Sequence, residues 1–116
     1  MTENSDRAAL AAARIRDLAQ ATSDPRDAYE SHADIASVTG SLLALAQDLE
    51  AALQHLAQYI ERHDDDWETV DEERRRPSQV SRAAGDKLWS AKAQAHNLGR
   101  ALTGALEAFG RLRPAP

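Results

Sequence analysis

Cysteine is absent from this chain, which removes disulfide frameworks, thiolate nucleophiles and cysteine-ligated zinc together. Aromatic residues make up only 4% of the sequence, and the β-branched residues that fill pleated sheets are sparse, so a β-rich core is excluded. No apolar run approaches the ~20 residues that a membrane-spanning helix needs. The opening MTENSDRAAL has no basic segment leading into an apolar one, unlike a secretory signal. A cytoplasmic chain without membrane contact is the expectation. The signatures of nucleotide loops, zinc proteases, serine hydrolases and calcium loops are missing as well, and no cofactor is expected.

What is present is alanine, leucine, glutamate, glutamine and arginine, all good helix formers. The chain has 116 residues and a hydrophobic share of 42%, much of it alanine, so each apolar residue buries little area. One domain spanning 1–116 is expected, with 1–5 and 113–116 as tails. Its apolar pattern is helical throughout. Within 34–63 the residues Ile35, Val38, Leu42, Leu45, Leu49, Ala52, Leu56 and Tyr59 alternate in steps of three and four, which keeps them on one helix face. Leu53, Ile60 and Leu43 widen that face on one flank. So broad an arc implies contact with two neighbouring helices.

The pattern predicts an all-α antiparallel bundle of three main helices, about 6–21, 25–63 and 78–112, with a short charged helix at about 66–75 between the two long ones. The first carries a shallow stripe of Ala8, Ala11, Ile15 and Leu18. Asp24-Pro25 resembles a capped helix start, and continuity from there into the long helix is expected, with a break near Ser31 as the alternative, where Ser31 and Asp34 offer a second capping pattern. The last helix repeats the rhythm through Leu88, Ala91, Ala95, Leu98, Leu102, Ala105, Phe109 and Leu112. Its alanines permit close approach to a leucine-rich neighbour.

Charge is uneven. The net charge is −5, yet residues 77–116 carry six basic groups against two acids. Arg74, Arg75 and Arg76, with the basic residues beyond, are candidates for phosphate contact, so a nucleic-acid-binding accessory protein using the basic third helix is one alternative function. The acids from Asp64 to Glu73 suggest another, a metal-dependent all-α hydrolase. Hard cations need several oxygens converging on one point, however, and a helix spreads neighbouring carboxylates around its circumference. The paired helix carboxylates of all-helical nucleotide pyrophosphohydrolases are not found, and Trp67-Glu68-Thr69 lacks the glycine of the Trp-x-Gly turn in helical hairpins of the WXG type. His55 and His63 stand eight residues apart on one helix, about 12 Å, too far to share a metal.

The leading expectation is a non-enzymatic helical module for protein–protein interaction, an adaptor, assembly factor or regulatory subunit. Its partner is a second copy or another helical protein, with a homodimer favoured because the first helix is too short to cover the spine's apolar arc. The candidate contact residues are Leu43, Trp67, Trp89, Arg74, Arg75 and Arg76. Tryptophan and arginine are enriched among interface residues that carry binding energy.

Overall fold

The computed structural model describes residues 2–67, 76–113 and 115, and no strand occurs among them. The described residues form three helices, α1 (Glu3–Ala21), α2 (His32–Arg62) and α3 (Pro77–Phe109), and a 3₁₀ turn at Asp64–Asp66 after α2. The expected charged helix falls mainly on residues 68–75, which lie outside the described residues. The chain divides into two compact units, Met1–Ile35 and Ala36–Pro116.

In the first unit, α1 starts at Glu3 rather than at residue 6 because Thr2 caps it: the Thr2 Oγ1 accepts the Ser5 N–H at 3.1 Å. Glu3 and Asp6 in the first turn complement the helix dipole. The Thr22 hydroxyl donates to the Leu18 carbonyl at 2.8 Å, closing the other end. No residue of α1 is buried.

The helix expected to begin at Pro25 begins at His32 instead. Residues 22–31 form turns and bends: Asp24 does make a cap contact, accepting the Arg26 backbone N–H at 3.0 Å and its guanidinium at 3.2 and 3.1 Å, and the Asp27 N–H returns to the Asp24 carbonyl at 3.2 Å, but the turn is not continued. Nothing in 25–31 would gain from helix, since its one large apolar residue, Tyr29, is exposed. The start near Ser31 is the one adopted. Asp34 Oδ2 reaches back to accept the Glu30 N–H at 3.0 Å, and the Asp34 N–H donates to the Ser31 carbonyl at 3.2 Å.

In the second unit α2 and α3 form an antiparallel hairpin. Its seam is made of small residues: Ala46, Ala57, Ser81, Gly85, Ala95 and Gly99 are the buried positions. Around them the seam runs in steps of four and three, through Thr39, Leu43, Ala46, Glu50, Leu53, Ala57, Ile60 and Asp64 on one strand of the hairpin. On the other it runs through Ser81, Gly85, Leu88, Lys92, Ala95, Gly99, Leu102 and Leu106. Leu43 Cδ1 lies 3.9 Å from where a Cβ on Gly99 would stand, and Ile60 Cγ2 lies 3.8 Å from the same point on Gly85. Both are ordinary van der Waals distances, so each glycine faces one of these side chains across the seam.

This phase corrects the expected one. The flank of Leu43, Leu53 and Ile60 faces α3, while the stripe of Leu49, Ala52, Leu56 and Tyr59 is exposed. The last helix ends at Phe109 rather than 112, where the Gly110 N–H returns to the Leu106 carbonyl at 3.0 Å and the next two N–H groups make shorter turns. Leu112 is exposed. At its start, Pro77 occupies the first helical turn and Gln79 Oε1 accepts the Arg76 N–H at 3.1 Å.

Candidate interaction surface

A two-helix hairpin has two open sides, and here they differ in chemistry. One side follows from residues one step after the seam: Gln47, Gln54 and Glu61 on α2 with Trp89, His96 and Thr103 on α3. It is polar and internally bonded. Trp89 Nε1 donates to Glu61 Oε1 at 2.5 Å, and His96 Nδ1 lies 2.7 Å from Glu50 Oε1. The Ser81 hydroxyl donates to Asp64 Oδ1 at the turn end. Lys92 Nζ stands 5.6 Å from the Trp89 ring centroid, so its charge rests over the ring face while its stem crosses the seam. Two shallow clefts open on this side. Ile60, Ser81 and Gly85 line one, and Ala95, Gly99 and Thr103 line the other.

The opposite side is apolar. It carries Val38, Leu42, Leu45, Leu49, Ala52, Leu56 and Tyr59 from α2, and Ala84, Ala91, Leu98 and Ala105 from α3. Within the two long helices the exposed large apolar side chains are Leu49 (41%), Leu56 (47%), Tyr59 (56%) and Leu98 (47%). All four stand on this side. In the antiparallel pairing Leu42 lies at the level of Ala105, Leu49 at that of Leu98 and Leu56 at that of Ala91. Tyr59 stacks on His63 with ring centroids 3.9 Å apart, and His63 Nδ1 lies 3.0 Å from the Tyr59 carbonyl, which closes the stripe at the turn end.

The candidate contact residues are dispersed. Leu43 is half-buried in the seam rather than on the open face. Trp89 is half-buried on the polar side, and Trp67 is nearly half exposed after the 3₁₀ turn. Arg76 precedes α3 and is exposed. Arg74 and Arg75 lie outside the described residues. The basic residues of α3 form no stripe: Lys92 is in the seam, Arg82 is on the polar side, Lys87 borders the apolar side and Arg100 points away from it. Among the described residues no group of three or more histidines and acids is placed to hold a metal ion, and no helix is long and apolar enough to cross a membrane.

No family model, curated protein or solved structure matches the chain.

The surface missed by sequence reasoning is the division of the broad apolar arc into two. The signal was present in Gly85 and Gly99. They fall fourteen residues apart, two heptads, with Lys92 midway, so from Gly85 to Gly99 every second position of the α3 seam is a residue that a hydrophobic pattern passes over.

Proposed function

We propose that this chain is a non-enzymatic helical interaction module, of the adaptor, assembly-factor or regulatory-subunit kind, that works through the apolar side of the α2–α3 hairpin. The observation that carries this reading is the gathering of Leu49, Leu56, Tyr59 and Leu98, all exposed, on one side. Single exposed leucines are ordinary on protein surfaces, whereas a contiguous apolar strip bordered by polar residues marks a binding face. The internally bonded polar side supports the same assignment, since its tryptophan and histidine are already engaged with Glu61 and Glu50.

The test is a photo-crosslinking amino acid placed at Leu56, with Gln54 as the control position, in the cells that make the protein. Protein adducts are expected from position 56 and not from position 54. Absence of any adduct at position 56 overturns the reading.

A further inference from the structure

The apolar side is a strip of unequal halves. The half supplied by α2 is a ridge of large side chains, Leu42, Leu45, Leu49, Leu56 and Tyr59. The half supplied by α3 is a shelf, with Ala84, Ala91 and Ala105 broken only by Leu98. Such a surface fits a copy of itself when one is turned by a half-rotation about an axis parallel to the helices. Each ridge then lies along the other copy's shelf, so that Leu42 and Leu56 enter the spaces that Ala105 and Ala91 leave and the Leu49 and Leu98 side chains of both copies form one layer between them. Turning the copy about a perpendicular axis instead stacks leucine on leucine along one edge and alanine across a gap along the other.

The extent of the strip is adequate. From Val38 to Tyr59 the strip runs about 30 Å along the helices, and two helices are about 20 Å wide, so a pair buries on the order of 1,200 Å², the size at which specific interfaces begin.

We infer that the occupant of the apolar side is a second copy of this chain, forming an antiparallel four-helix bundle in which α2 of each copy lies against α3 of the other. This rests on the reading of the apolar side as an interaction surface. In the bundle Leu42 meets Ala105, Leu49 meets Leu98 and Leu56 meets Ala91 of the second copy. The polar sides, with Trp89 and His96, face outward on both.

Sedimentation equilibrium of the purified chain at micromolar concentration is expected to give twice the chain mass. Leu49→Glu with Leu56→Glu is expected to weaken the dimer by at least about a hundredfold while helical circular dichroism is retained. Gln47→Glu with Gln54→Glu, on the polar side, is expected to leave the dimer mass unchanged. The absence of native cysteine allows the pairing to be read directly. When chains bearing Leu56→Cys and chains bearing Ala91→Cys are mixed and oxidised, the disulfide is expected to join unlike chains, and a Leu56→Cys homodisulfide as the main product overturns the α2-on-α3 arrangement. A wild-type chain of single mass overturns the second copy as occupant. If position 56 still crosslinks to a different protein in cells, the interaction reading survives that result; if it crosslinks to nothing, both fall.

Discussion

Gly85 and Gly99 are buried in the seam between the two long helices, yet neither is crowded. A Cβ at Gly99 would meet Leu43 Cδ1 at 3.9 Å and one at Gly85 would meet Ile60 Cγ2 at 3.8 Å, both ordinary van der Waals distances. Gly85→Ala and Gly99→Ala should each stabilise the chain by up to about 1 kcal/mol, because the helix-interior cost of glycine is removed without a clash. Gly99→Leu has no such room and should cost about 1–3 kcal/mol by forcing the helices apart. Urea denaturation at fixed protein concentration checks both directions. Asp24 gives a second prediction at this scale. The side-chain hydrogen bonds from Arg26, and then its backbone N–H, hold the Asp24 carboxyl below the ordinary aspartate range. The folded value is therefore below the unfolded one, so whatever the turn gains is present above the unfolded pKa and is lost as pH falls through the folded one. In an NMR titration the Arg26 amide should shift with a midpoint below that of an ordinary aspartate, and Asp24→Asn should abolish the shift.

At the scale of the element, the start of α2 depends on Asp34 reaching back to Glu30. Asp34→Ala should cost about 0.5–1 kcal/mol and fray the first turn, seen as faster amide exchange at residues 30–35 with the centre of α2 unchanged. That helix start was legible as an alternative in the sequence, because Ser31 and Asp34 have capping spacing; Asp24-Pro25 looked stronger because Asp24 does make its cap contact, yet the turn it opens has no apolar face to bury and goes no further. The helical class, the three main helices and the antiparallel hairpin were legible from composition and from the three-four rhythm. The facing of the long helices was not. Periodicity locates apolar residues on a helix, but it is silent on whether the widest stripe meets a neighbour in the same chain or stays open. On α2 the most leucine-rich line is the open one, and the line through Ala46, Glu50 and Ala57 is the one buried against α3. The buried seam positions are small residues, and small or polar residues carry little weight in a hydrophobic pattern.

The whole molecule is poor in large buried side chains: no side chain of any size beyond alanine, glycine or serine is buried among the described residues. The proposed dimer would add a second buried apolar surface to this thin core. The thermal midpoint should therefore rise with protein concentration, as it must when the folded form is favoured by mass action. In the variant carrying Leu49→Glu and Leu56→Glu, the midpoint should be lower and independent of concentration. Scanning calorimetry over a wide dilution range measures both.

The smoothness of the hairpin seam has one more consequence. Alanines and glycines make few interlocking bumps, so packing alone would let α3 slide along α2 by a heptad at little cost. The polar interruptions prevent it. A slip of seven residues one way would set Lys92 where Gly85 now receives Ile60 and Leu88 where Ser81 bonds Asp64; a slip the other way would bring Trp89 to Glu50 and Lys92 to Leu43. Three links, Ser81 to Asp64, Trp89 to Glu61 and His96 to Glu50, are satisfied together only in the observed alignment. They act as a vernier, selecting one setting from a scale whose divisions would otherwise look alike.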